Sequence, residues 1–144
     1  MSFLEQVKKA TPQAPVVTIV GFAGSGKSSL AGLFPSPIFI QAENATSVFE
    51  TMPEELQPAF FPQLPIPNAK RNIKTSDVLL EQLRELVTQD HEFKTVVIDT
   101  VTALNILFEQ EVIEFDEKGA SNIGEASGGY NKGYLVVAGI HAKL

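Results

Sequence analysis

The sequence predicts an α/β domain with a mostly parallel sheet flanked by helices. Three observations carry this reading. Apolar, β-branched runs occur at Val16–Val20, Ile38–Ile40 and Thr95–Ile98, and runs of this kind suit strands covered on both faces. Stretches with helical spacing lie between and after them. The order is therefore β-α-β-α-β, which points to a doubly wound parallel sheet. The chain's 144 residues, 44% hydrophobic and 19% charged, are enough for one core and one site.

Residues 1–15 read as a short lead, with a helical turn through Phe3, Leu4 and Val7 that ends at Pro12 and Pro15. Val16–Val20 is the first strand, and Ser28–Leu33 a short helix stopped by Pro35 and Pro37. Ile38–Ile40 is the second strand. Prolines at 53, 58, 62, 65 and 67 then forbid regular structure over much of 52–68, which reads as a surface excursion. Ser76 or Asp77 can cap a helix whose Leu79, Leu80, Leu83, Leu86 and Val87 share one face. Thr95–Ile98 is the third strand and ends in Asp99. Leu104, Leu107, Phe108, Val112 and Phe115 mark another amphipathic helix, and five glycines between 119 and 133 predict a mobile loop. Residues 134–144 are ambiguous: propensity favours a strand at Leu135–Val137, while Leu135, Ala138 and Ala142 can line a helix interrupted by Gly139.

Bulk properties exclude several classes. The net charge of -6 gives no basic footprint for nucleic acid, so any such partner needs a local patch or an assembled groove. With no cysteine there is no disulfide and no thiolate metal site. No apolar stretch reaches the length of a membrane span, and the start lacks a signal-type core, so the expectation is a cytoplasmic protein with no membrane partner.

The chemistry concentrates in "GFAGSGKSS". Gly21, Gly26, Lys27 and Ser28 fit G-x-x-x-x-G-K-[ST] between a predicted strand and a predicted helix. A polyphosphate needs several backbone N–H donors converging on it, and glycine lets the chain curl without Cβ atoms in the way. The predicted cradle is Gly21, Phe22, Ala23, Gly24, Ser25, Gly26, Lys27, Ser28 and Ser29. Lys27 would reach the β- and γ-phosphates of ATP and the Ser28 hydroxyl would ligate Mg²⁺, with Ser29 near the α-phosphate. Asp99, at the carboxyl edge of a buried strand, can hold Mg²⁺ through water, and can also cap a helix starting near Thr102. Glu43, just past the second strand, can orient or deprotonate the attacking water.

"GFAGSGKSS", "IFIQAEN" and "TVVIDT", in this order, resemble the nucleotide motifs and the intervening strand-end glutamate of RecA-like recombination ATPases. The likeness extends in particular to short phage-type, Sak-type ATP-binding proteins linked to single-strand annealing, and covers most of residues 16–134. It implies a RecA-like P-loop NTPase that hydrolyses ATP with Mg²⁺, acts with single-stranded DNA and assembles into a homo-oligomeric ring or filament. In that resemblance Glu43 matches the glutamate that activates water, and Thr100 the hydroxyl residue that follows the Mg²⁺ aspartate. The segment 118–133 falls where such proteins face DNA, so Lys118, Lys132 and Lys143 are phosphate candidates and Tyr130 and Tyr134 stacking candidates. Neither arginine, Arg71 or Arg84, is identifiable as a finger for a neighbour's nucleotide.

RecA-like proteins continue with further core strands, including one that senses the γ-phosphate. Residues 16–144 therefore read as an incomplete, C-terminally truncated core. The resemblance favours a helix over 134–144, whereas a strand there would make His141 the sensor. Two alternatives stay open: a nucleotide-binding module without efficient turnover, and a small P-loop kinase.

Overall fold

A computed structural model describes residues 14–143; the helical turn expected at Phe3, Leu4 and Val7 lies outside that range. Three parallel strands form the sheet: β1 (Pro37–Gln41), β2 (Ala59–Phe60) and β3 (Thr95–Asp99), in the order β2-β1-β3. Pro37 opens β1, where a missing N–H is tolerated. Residues Pro37 to Gln41 pair in register with Thr95 to Asp99, so both strands end level. Among the described residues four α-helices accompany them: α1 (Lys27–Ala31), α2 (Thr75–Thr88), α3 (Val101–Glu114) and α4 (Lys132–His141).

Successive side chains of a strand point to opposite faces, and β1 divides the core that way. Ile40 packs with Leu64, Leu79, Leu104, Phe108 and Val137, drawn from the loop after β2 and from α2, α3 and α4. Phe39 points the other way, to Ala31 of α1 and Phe49. Phe39, Phe49 and Phe60 form a cluster with ring centroids 5.2 to 5.6 Å apart, edge-to-face or tilted as aromatic quadrupoles prefer.

Several expectations are corrected here. Val16–Val20 is not a strand: residues 14–20 carry no regular structure, and Val16 and Val20 are 96% and 89% exposed. Only Ile19 is drawn in, packing beside Phe39 and Val97. The run has the propensity for a strand but no ladder partner among the described residues, and a strand exists only as part of a sheet. Consistent with this, Val96 of β3 is half exposed rather than covered on both faces.

The proline-rich excursion, in contrast, contains β2. Residues 59–61 form a window free of proline between Pro58 and Pro62, so Ile38 and Phe39 of β1 find partners in Ala59 and Phe60. The Phe61 N–H donates to the Phe39 carbonyl at 2.9 Å, and Leu64 N–H to Gln41 at 2.9 Å. The Pro62 and Pro65 carbonyls accept from Gln82 and Thr75 of α2. The prolines thus shape a packed connection in which Leu64 is 3% exposed.

The predicted helices form, with shifted details. In α2 Leu79 is fully buried, but Val87 is 86% exposed and Gln82 is buried in its place. Neither Ser76 nor Asp77 is the cap: α2 begins at Thr75, with Lys74 in the cap position. Its first turn is satisfied from outside, by buried Glu111 of α3, which accepts from the Ser76 amide at 2.8 Å and from its hydroxyl. A carboxylate there complements the positive end of the helix dipole.

The glycine-rich segment is more organised than the mobile loop expected. Asp116 accepts N–H groups from Ser127 at 2.7 Å, Lys118 at 3.0 Å and Ala120 at 3.1 Å. Ile123 and Ala126 enter the core. Residues 132–141 are helical, the reading favoured over the strand, and His141 meets Asn105 of α3 at 3.1 Å and the edge of Phe108.

Candidate nucleotide site

The loop 21–29 precedes and opens α1. Gly24 and Gly26 have φ of 75° and 83°, in the left-handed region that glycine enters without strain, and a Cβ at either would meet nothing within 4 Å. Glycine is therefore required there by backbone conformation, and the space beside it stays open. The turn is closed by Ser25 N–H to the Phe22 carbonyl at 3.2 Å. Lys27 folds back over the loop, its ammonium donating to the carbonyls of Gly21 at 2.9 Å and Phe22 at 2.8 Å. These carbonyls hold the lysine where it can exchange them for a stronger, charged acceptor such as a phosphate oxygen.

α1 has only five residues, fewer than expected, so its dipole is small, and an anion held here would rest mainly on the loop amides and Lys27. The hydroxyls of Ser28 and Ser29 have no hydrogen-bond partner among the described residues.

Glu43, Asp99 and Thr100 gather at the level ends of β1 and β3. Ala42 N–H donates to the Asp99 carbonyl at 3.0 Å, and the Thr100 hydroxyl donates to Glu43 Oε1 at 3.0 Å, joining residues 57 apart in the chain. Asp99 is 6% exposed, and its Oδ2 is buried without a partner. Such an orphaned carboxylate oxygen wants a cation or a water held by one, and this fits Mg²⁺. Asp99 is free for the role because Thr100 caps α3, accepting the Ala103 N–H at 3.1 Å, rather than Asp99 capping a helix from Thr102. No group of three or more His, Asp or Glu among the described residues could cage a metal. A divalent ion here would need phosphate and water oxygens to complete its shell, the usual arrangement for Mg²⁺.

Among the described residues no hydrogen bond joins 21–29 directly to Glu43, Asp99 or Thr100. Of the lysines considered for DNA, Lys118 and Lys143 come together, with Lys74, around a groove of about 540 Å³ that shares no residue with the cradle; Lys132 does not line it. Asp77, Glu111, Asp116 and Glu117 line the same groove, so its charge is mixed. Tyr130 is 95% and Tyr134 50% exposed.

Sequence reasoning passed over Asp116 and Glu111. The first had a signal, since Asp116-Glu117-Lys118-Gly119 is turn chemistry in which a carboxylate accepts N–H groups further along the chain. Glu111 had none, because its partner lies 35 residues away.

Among the described residues no helix is long and apolar enough to cross a membrane. No curated protein and no solved structure matches the chain significantly. A family model described as an AAA domain matches residues 13–142. With that match over nine-tenths of its length, and with the glycine loop and strand-end carboxylates in an α/β frame, the chain belongs to the AAA domain family, a family of P-loop ATPase type.

Proposed function

We propose that the chain is an Mg²⁺-dependent ATPase of the RecA-like, phage recombination and annealing type, acting with single-stranded DNA. The observation that carries the reading is the hydrogen bond from Thr100 to Glu43, which unites the strand-end glutamate with the aspartate-containing strand end. In this reading Gly21 to Ser29 bind the phosphates and Lys27 releases the Gly21 and Phe22 carbonyls to reach them. Ser28 and Asp99 would hold Mg²⁺, which when bound neutralises phosphate charge. Glu43 holds the attacking water and takes its proton. Around the loop Val16, Val20, Phe22 and Leu33 are all more than 70% exposed, which supports a homo-oligomer in which a neighbouring copy covers this side.

A binding-only module is the second reading, favoured by one observation: Val16–Val20, which leads into the cradle, does not pair with the sheet that carries Asp99.

Steady-state ATP hydrolysis with Mg²⁺, with and without single-stranded DNA, separates the two. The expected result is DNA-stimulated turnover that Glu43→Gln lowers by about 100-fold or more, in the range of a lost general base, while nucleotide affinity is kept. Turnover at the wild-type rate in Glu43→Gln would sink the catalytic role. Binding without turnover in the wild type would establish the second reading.

A further inference from the structure

The Thr100 hydroxyl serves two partners at once. It accepts the Ala103 N–H at 3.1 Å and donates to Glu43 Oε1 at 3.0 Å. A hydroxyl has one proton and two lone pairs, and an ionised carboxylate only accepts. With a lone pair engaged by the Ala103 amide, the proton goes to Glu43.

The two ends of this contact differ in how firmly they are held. Thr100 opens α3, whose Leu104, Leu107 and Phe108 are 1%, 8% and 0% exposed. The hydroxyl is therefore tied to a helix locked in the core. Glu43 is exposed and belongs to a bend between β1 and a short 3-10 turn at Thr46–Val48. Without a tether a glutamate in such a place samples many rotamers. The contact fixes one carboxylate oxygen and leaves Oε2 without a partner among the described residues.

We infer that Thr100 is a positioning residue for Glu43: anchored by the first turn of α3, its hydroxyl holds Oε1 and leaves Oε2 to take the water. This rests on the role given to Glu43 above. In this arrangement Thr100 acts through the carboxylate.

The test is a double-mutant cycle in ATP hydrolysis, with nucleotide affinity measured alongside. Thr100→Val is expected to lower kcat about tenfold, the order of the rotamer freedom returned to Glu43, with nucleotide KM and affinity within about twofold. Thr100→Ser, which keeps both hydrogen bonds, restores kcat to within about twofold. In a Glu43→Gln background Thr100→Val changes the residual rate by less than about twofold, since the carboxylate it positions is gone.

Thr100→Gly separates helix stability from positioning. Glycine ranks with threonine as an N-cap but adds no charge and has no proton to donate to Glu43, so the variant should unfold near the wild-type temperature and still lose as much turnover as Thr100→Val. Wild-type kcat in Thr100→Val or Thr100→Gly would overturn the inference. So would an equal fold-loss from Thr100→Val with and without Glu43, which would mean that the hydroxyl acts only through α3. A wild-type rate in Glu43→Gln alone is a different outcome: it removes the role of Glu43 itself.

Discussion

Two glycines on α4 give the same substitution opposite signs. Gly133 is in the first turn and Gly139 near the last. A Cβ on Gly133 would lie 2.3 Å from the Ile123 carbonyl oxygen, 2.8 Å from Ile123 Cδ1 and 3.2 Å from Ala126 Cβ. The first of these is backbone, so no rotamer change relieves it and α4 must lift from the segment that Asp116 organises. A Cβ on Gly139 would meet nothing within 4 Å. Alanine is preferred to glycine inside a helix by about 0.8–1 kcal/mol, and Gly139→Ala should stabilise the chain by about that amount. At Gly133 the same gain is set against overpacking of about 1–3 kcal/mol and against re-exposure of Ile123 and Ala126, now 7% and 0% exposed. The expected net loss is about 1–2 kcal/mol, leaving a gap of about 2–3 kcal/mol between the variants. Urea unfolding followed by far-UV circular dichroism reads this as a higher midpoint for one and a lower midpoint for the other. Gly133→Ala as stable as the wild type would refute the packing of α4 on residues 120–128. A destabilised Gly139→Ala would refute the helix itself, because in a strand alanine brings no such gain.

Two further predictions concern charge. Lys27→Ala should weaken Mg²⁺-nucleotide binding by roughly 10- to 150-fold, the equivalent of about 1.5–3 kcal/mol for hydrogen bonds to a charged group. A fluorescent-nucleotide titration measures it, and a change under about twofold would mean that the lysine stays on the Gly21 and Phe22 carbonyls. Asp116 is held below its ordinary aspartate value by the Ser127 N–H first, partly opposed by burial, with the Ala120 and Lys118 amides adding to the lowering. A carboxyl lowered on folding contributes order that is complete above its unfolded-state pKa and lost as pH falls through the folded one. Amide hydrogen exchange at Lys118, Ala120 and Ser127 should accordingly rise relative to intrinsic rates on acidification through and below the ordinary aspartate range. Asp116→Asn should abolish that pH dependence, and an unchanged profile in the variant would assign it to another group.

What the sequence determined by itself was local. The glycine loop was legible because its spacing, Gly21 to Ser28, encodes a backbone requirement, and Gly24 and Gly26 do adopt the left-handed conformation. β1 and β3 were legible because short apolar runs ended in polar residues, and the face of α3 because Leu104, Leu107, Phe108 and Val112 recur at helical period. Tertiary structure decided whatever depends on a partner far along the chain. The strand propensity of Val16–Val20 was real, yet no ladder forms without a neighbour. Ala59–Phe60 looked unfit for a sheet, yet the β1 edge and the ring of Phe39 recruited them. The cap of α2 came from Glu111 rather than from Ser76 or Asp77. Asp99, Thr100 and Glu43 could each be named from the sequence, but the hydrogen bond from the Thr100 hydroxyl to Glu43 could not. Thr100 reaches Glu43 only because β1 and β3 end in register, and strand register is fixed by pairing and burial rather than by either strand's own residues.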